Sequence, residues 1–171
     1  MTNSRKIIFL FLALLLPVLI FVFLKYFGKN EFNIPIYYQT SFYKADKHCT
    51  DSIAIPYQIP SNCPVVIEGV TVVSFNEATD NALFQLTRIR SSFRDKLNVK
   101  NIVLGKDASA EDRTVLDTAM YTLAKCHFMI HGDSTTVLVD GKRRIRGYYD
   151  IQSLKDVDRL IMEVKILIDQ Y

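Results

Sequence analysis

The sequence predicts an α/β fold, in which a mixed β-sheet is covered by helices and one membrane-spanning helix precedes the domain. One observation is an uncharged apolar run near the N-terminus. Another is the alternation of short β-branched runs with amphipathic helical patterns, which is typical of an α/β sheet. A third is the end of the chain, where two strand patterns joined by a tight turn lead into a long amphipathic helix.

Residues 7–24 carry no charge and are interrupted only by Pro17. As a helix this run spans about 27 Å, close to the thickness of a bilayer's hydrocarbon core. A cleaved signal peptide is the alternative, but bulky Leu24, Tyr26 and Phe27 stand where small cleavage-site residues would be needed. We therefore expect a cytoplasmic N-terminus at 1–6 and a transmembrane helix at 7–27. The protein would be a single-pass bacterial inner-membrane protein with a periplasmic C-terminal domain, although the flanking charges favour this orientation only slightly.

Residues 28–64 form a predicted membrane-proximal extended segment, because prolines recur there and no helical pattern appears. Cys49 and Cys63 flank one of its extended pieces. In an oxidising compartment these two cysteines are expected to form a disulfide, and the alternative is a pair of free, partly buried thiols.

Residues 65–171 form the predicted domain. A strand pattern at 65–75 leads to a helical pattern at 80–97 and a second strand at 99–104. Ser109 opens a second helix, and residues 126–130 form a short extended link. The order through the closing hairpin and helix is β-α-β-α-β-β-α, which is thioredoxin topology when the first two strands are parallel.

The closing segment is the clearest part of the domain. Thr135–Val139 is rich in β-branched residues and is a predicted strand. Asp140-Gly141 predicts a type I′ turn into the return strand Arg144–Tyr149. Ser153 is the predicted N-cap of the last helix, with Asp156 three residues later. Its apolar positions have the spacing of one helical face: Val157, Leu160, Ile161, Val164, Leu167, Ile168 and Tyr171.

Composition excludes several classes of function. The formal charge of +3 and the lack of a basic stripe with aromatics argue against nucleic-acid binding. Three cysteines are present, and none forms a CxxC pair of the kind found in zinc ribbons or thioredoxin redox sites.

The sequence resembles the Sco/SenC family of membrane-tethered, thioredoxin-fold copper proteins. Three stretches carry the resemblance: residues 27–38, residues 54–60, and the closing hairpin and helix at 137–149 and 156–161. The resemblance implies a copper and thiol site, formed by a CxxxC motif at the first strand-to-helix turn and a distant histidine before the closing hairpin.

The turn at that place, 75–81, reads FNEATDN and contains no cysteine. We therefore predict a non-enzyme without catalytic or cofactor-binding residues, whose domain is an accessory, structural or assembly partner of a membrane complex. Because the resemblance implies service to copper-containing terminal oxidases, that complex is expected to be respiratory.

An alternative function keeps copper or thiol chemistry. His131 stands near the place of the family's distant histidine, and Cys126 and His127 lie shortly before it. These three residues are the candidate copper ligands, since thiolate and imidazole suit copper. A dithiol formed by Cys49 and Cys63 is the other candidate for electron transport.

The hairpin itself is basic, with Lys142, Arg143, Arg144 and Arg146. A solvated turn that avoids edge-to-edge pairing is one interpretation. The other is a contact patch for an acidic partner or for anionic lipid headgroups.

Overall fold

The structure is a computed structural model that describes residues 3–27, 33–40, 49, 55–75, 79–105, 113–130 and 135–170. The chain forms two compact units, Met1–Asn33 and Ile34–Tyr171. The first unit contains helix α1, Asn3–Phe27. Residues 6–26 of this helix are apolar and long enough to cross a membrane, which fits a single anchor and is also compatible with a signal sequence.

The second unit has an α/β architecture, and its elements follow the predicted order except for an additional strand, β3. In chain order they are β1 Thr71–Ser74, α2 Asp80–Phe93, a short 3₁₀ turn Arg94–Lys96, β2 Asn98–Leu104, β3 Arg113–Leu116, α3 Thr118–His127, β4 Thr136–Val139, β5 Ile145–Tyr149 and α4 Leu154–Gln170.

The five strands form one sheet in the order β3-β2-β1-β4-β5. Strand β1 is parallel to β2, and β2 is parallel to β3. Strand β4 is antiparallel to both β1 and β5. With helices after β1, before β4 and after β5, this is a thioredoxin-like fold with one added edge strand, β3.

Each face of the sheet packs against its own core. On one face, α2 and α4 bury Leu86, Ile89, Leu160 and Val164. On the other face, Ala124 and Phe128 from α3 and its C-terminal end pack with Val73, Ile102 and Val137 from three strands. The buried positions of α4 confirm the predicted helical face, and Ser153 accepts the Asp156 backbone N–H at 3.4 Å as its N-cap.

The second predicted helix is present, but its predicted start at Ser109 and the extended link predicted at 126–130 are wrong where the structure describes them. Val115 and Leu116 lie in β3, alongside β2. Asp117 starts the helix instead, because its carboxylate accepts the Met120 backbone N–H at 2.8 Å. Cys126 consequently lies in the last turn of α3, not in an extended link.

Part of the predicted membrane-proximal segment belongs to the domain. Residues 34–40 and 55–64 fall within the second unit and lie against it together with the residues that precede β1. We call residues 34–40 and 55–67 the strap. Tyr37 donates its backbone N–H to Ile145, and Ile59 donates to Arg143. Ile34, Tyr57 and Ile59 are buried. The boundary predicted at residue 65 therefore falls inside the unit that begins at Ile34.

The closing hairpin forms where predicted, but its turn differs. Arg143 donates its backbone N–H to Asp140, and Asp140 donates to Arg144, so the loop holds three residues. Arg143 has φ +61°, the left-handed conformation that closes such a loop and places a bulge in the hairpin. Gly141 does not take positive φ, so the predicted type I′ turn is wrong.

Candidate functional site

The N-terminus of α2 is the place where the resemblance would put reactive thiols, because a helix dipole stabilises a thiolate there. In this chain Thr79 is the N-cap, and its hydroxyl accepts the Ala82 backbone N–H at 3.3 Å. Gln152 donates to the same hydroxyl at 3.0 Å and accepts from the Asn81 amide at 2.8 Å. Residues 76–78 of the turn lie outside the described residues. This helix end is closed by a hydroxyl and two amides.

The disulfide joins Cys49 to Cys126, with their Cα atoms 5.5 Å apart. The predicted Cys49–Cys63 pair is therefore wrong. The predicted pair relies on proximity in the sequence, whereas helix 118–127 carries Cys126, 77 residues from Cys49, to the strap side of the sheet, where Ala124 and Phe128 pack with Tyr57. Both bridged cysteines are half-buried.

Cys63 is the free cysteine among the described residues. Burial raises the pKa of its thiol, and this outweighs the hydrogen bond from the Val65 backbone and the charge of Arg143, which lower it. The thiol is therefore a weak nucleophile at neutral pH, because the thiolate is the reactive form.

The candidate copper ligands are not assembled as the sequence analysis expected. The Cys126 sulfur is bonded to Cys49, so it is not a thiolate ligand in this state. His127 ends α3 and is buried, whereas the prediction placed it in an extended segment. His131 lies outside the described residues. Among the described residues, no group of three or more His, Cys, Asp or Glu side chains is placed to hold a metal ion.

Tyrosine hydroxyls close the C-terminal end of α3. Tyr57 donates to the His127 carbonyl at 2.6 Å, and Tyr148 donates to the Phe128 carbonyl at 3.0 Å. The hydroxyls of Tyr38 and Tyr148 are hydrogen-bonded at 3.1 Å. Burial, followed by the bond to Tyr38, raises the pKa of Tyr148 far above its ordinary value, so the phenol stays a neutral donor. No spacing in the sequence predicts this cluster, although tyrosines recur at 37, 38, 57 and 148.

The basic hairpin is mostly internal. Asp140 is fully buried and accepts from the guanidinium groups of Arg144 at 2.7 Å and Arg146 at 3.0 Å. Arg146 also donates to the Ile34 carbonyl at 2.8 Å. Arg143 donates to the Ile59 carbonyl at 2.8 Å. These contacts fasten the strap to the hairpin.

The proposed contact patch of Lys142, Arg143, Arg144 and Arg146 is therefore corrected. The three arginines bind the protein's own carboxylate and carbonyl groups, and within this set Lys142 is the exposed side chain. Burial alone would raise the pKa of Asp140, but hydrogen bonds from Arg144 and Arg146 outweigh it and hold the pKa below its usual value.

No family model and no curated protein matches this sequence. Solved structures with some similarity are thioredoxin-like. A Sco/SenC family lipoprotein from Bacillus anthracis has 17% identity and a TM-score of 0.40, over 58% of this chain and 81% of that one. BsSco, of the Sco family of cytochrome c oxidase assembly proteins, has 13% identity and a TM-score of 0.43, over 60% and 82%.

A thioredoxin domain of a thiol-disulfide oxidoreductase from Bacteroides vulgatus has 15% identity and a TM-score of 0.40, over 54% of this chain and 79% of that one. The comparisons thus include the family that the sequence resembles. At these identities they carry no function to this chain, whose fold is established by its strand order.

Proposed function

We propose that this protein is a membrane-anchored, periplasm-facing binding protein, in which a thioredoxin-like scaffold serves as an accessory or assembly subunit of a membrane complex. One observation carries the proposal: the disulfide lies at the C-terminal end of α3, whereas the N-terminal end of α2 carries Thr79 as its cap. A helix C-terminus bears the negative end of the helix dipole, which opposes the thiolate that redox exchange needs. The disulfide then serves structure.

Two further observations support the location. Helix α1 has the length and composition of a membrane span. Disulfides persist in oxidising compartments, which for a bacterial inner-membrane protein means the periplasmic side. The sequence resemblance makes a respiratory oxidase the first partner complex to test.

The experiment is co-purification of the full chain from native membranes in mild detergent, after chemical cross-linking in the intact membrane. A tagged single-span protein of unrelated sequence is the control for non-specific capture. We expect a defined set of membrane subunits with this chain and not with the control. Recovery of the chain alone, even after cross-linking, would contradict an accessory role.

A redox role is the second candidate, and it now concerns Cys49 and Cys126 instead of the pairs considered from sequence. The observation in its favour is that both cysteines are half-exposed, which leaves a route for an attacking thiol. The reduction potential of this disulfide distinguishes the two functions.

A further inference from the structure

A basic groove lies at one end of the sheet, where β2 begins. Two adjoining hollows of about 600 Å³ and about 480 Å³ share Arg94 in their walls. Leu97 and the first residues of β2, Asn98 to Lys100, line the first hollow, and α4 lines the second. We call the pair the basic groove, defined by five cationic residues: Arg90, Arg94, Lys96, Lys100 and Lys165.

Cations outnumber carboxylates in this groove. Against the five cationic residues stand Asp95 and Asp169. Arg90 is partly engaged, since it donates to the Val99 carbonyl at 3.2 Å. Arg94, Lys96 and Lys165 are exposed. The groove therefore offers mobile positive charge to an anion at the surface, unlike the hairpin arginines.

Apolar side chains lie between these cations. Phe93, Ile161 and Ile168 are partly buried at the edge of one core and line the second hollow. Cationic side chains around a half-exposed aromatic and aliphatic strip suit a water–lipid interface, where the charged ends bind headgroups and the apolar parts reach the acyl boundary.

The backbone at Arg94 is strained. Its φ of +47° and ψ of −125° at the C-cap of α2 form a conformation that glycine adopts readily and that an L-residue adopts at a cost of about 1–3 kcal/mol. This strain motivates a functional hypothesis for Arg94, whose side chain lines both hollows.

The chain enters the domain at the end of the sheet where β2 begins, next to the start of β5: Arg146 donates to the Ile34 carbonyl at 2.8 Å. Ile34, the first residue of the compact unit, packs in the same core as Leu97, Val99 and Phe93. Six residues, 28–33, separate it from the end of α1. Seven extended steps from Phe27 to Ile34 span at most about 25 Å. If α1 is held in a membrane, the linker therefore keeps Ile34 within about 25 Å of the end of that helix.

We propose that the basic groove binds anionic phospholipid headgroups of the membrane that holds α1. The inference rests on the anchoring role in the proposed function and adds a contact surface to it. The lipid phosphates would pair with Arg94, Lys96 and Lys165, while Phe93 and the two isoleucines meet the upper acyl chains. Such contact fixes one orientation of the domain above the bilayer.

The test reconstitutes the full chain in nanodiscs of phosphatidylcholine alone or of an equal mixture with phosphatidylglycerol, and measures hydrogen exchange. We expect added protection at 90–100 and 161–169 in the anionic discs. In the variant Lys96→Gln/Lys165→Gln, the added protection should fall about 25-fold, which is about fivefold for each lysine removed. The control Lys125→Gln/Lys155→Gln removes the same charge elsewhere and should keep the protection.

Each outcome decides a different point. Equal protection in neutral and anionic discs, or equal loss in both variants, would overturn the lipid site while leaving the anchor intact. The same protection in neutral discs after adding inorganic phosphate would assign the groove to a free anion and would also overturn it. Failure of the chain to enter discs at all would instead contradict the anchoring role.

Discussion

The N-terminus of α2 and the C-terminus of α3 are both closed by groups from distant parts of the chain, yet they differ in chemistry. At α2, the Gln152 side chain donates to the Thr79 hydroxyl and accepts from the Asn81 amide at a largely exposed site. At α3, a disulfide and two buried tyrosine hydroxyls hold the helix end against the strap. The N-terminus of α2, where the helix dipole would stabilise a thiolate, has no cysteine in its sequence. The C-terminus of α3, where the dipole disfavours a thiolate, carries Cys126.

This difference indicates that the capacity of such a fold for thiol redox exchange depends on where its cysteines lie relative to the helix dipoles, and not on their number. At the C-terminus of α3, the disulfide and the tyrosine hydroxyls stabilise the packing of the helix against the strap. Substitutions at the C-terminus of α3 and at the strap should therefore destabilise the fold more than substitutions at the N-terminus of α2.

Removing the disulfide should have the largest effect. Cys49→Ser/Cys126→Ser opens a connection across 77 residues, and the lost restriction of the unfolded chain should lower the free energy of unfolding by about 4 kcal/mol. Denaturant unfolding of the full chain in detergent, followed by tyrosine fluorescence because the chain has no Trp, measures it. The control Cys63→Ser should cost less than about 1 kcal/mol. Similar losses in both variants would contradict a fastening role.

The charge cluster that holds the strap should come next. Asp140→Asn leaves buried Arg146 without its carboxylate and should lower the free energy of unfolding by about 3 kcal/mol at pH 7. Asp158→Asn, in an exposed pair with Arg88, is the matched control and should cost less than about 1 kcal/mol.

The same cluster gives a pH dependence. The folded pKa of Asp140 is lowered relative to about 3.9 in the unfolded chain, so its contribution is complete above that value and is lost as pH falls through the folded pKa. Unfolding curves from pH 7 to pH 3 should show a smaller decline for Asp140→Asn than for the native chain. Parallel declines would show that Asp140 is not the titrating group.

Loss of one tyrosine hydroxyl should have a smaller effect. Tyr57→Phe leaves the buried His127 carbonyl without this donor and should cost about 1–2 kcal/mol in the free energy of unfolding. Tyr37→Phe, at a more exposed ring of the same strap, should change it by less than about 0.5 kcal/mol. Equal effects would remove the tyrosine cluster from the account of this helix end.

Substitution at the N-terminus of α2 should have the smallest effect on the free energy of unfolding. Thr79→Ala removes the N-cap of α2 and should cost about 1 kcal/mol, while Thr79→Ser keeps the hydroxyl and should recover most of it. The difference between the two variants in the free energy of unfolding measures the hydroxyl's cap together with its hydrogen bond from Gln152. A loss above about 3 kcal/mol would mean that this end is as tightly fastened as the other.

Local patterns predicted much of the fold and little of the site. The parallel β1–β2 pair, the closing hairpin and the buried face of α4 follow from alternation and helical spacing, which are local signals. The start of α3 was missed because Ser109 with Asp112 and Asp117 are competing cap signals, and the prediction followed the first pair. The disulfide was missed for another reason: Cys49 and Cys126 are 77 residues apart, and no local pattern connects them.

The hairpin arginines show that contacts between distant parts of the chain could not be predicted from local patterns. Their charges suggested a solvent-facing patch, but a buried carboxylate and strap carbonyls bind them. Partners such as Arg146 and Ile34 are 112 residues apart, and no local pattern in a single sequence connects them.

The reduction potential of the Cys49–Cys126 disulfide tests the central claim most directly. The full chain with Cys63→Ser would be equilibrated in thiol–disulfide buffers, and the free thiols would be counted by alkylation and mass spectrometry. A fastening disulfide at a helix C-terminus predicts a potential below about −300 mV. A potential between about −270 and −120 mV, the range of thiol-disulfide oxidoreductases, would contradict the account.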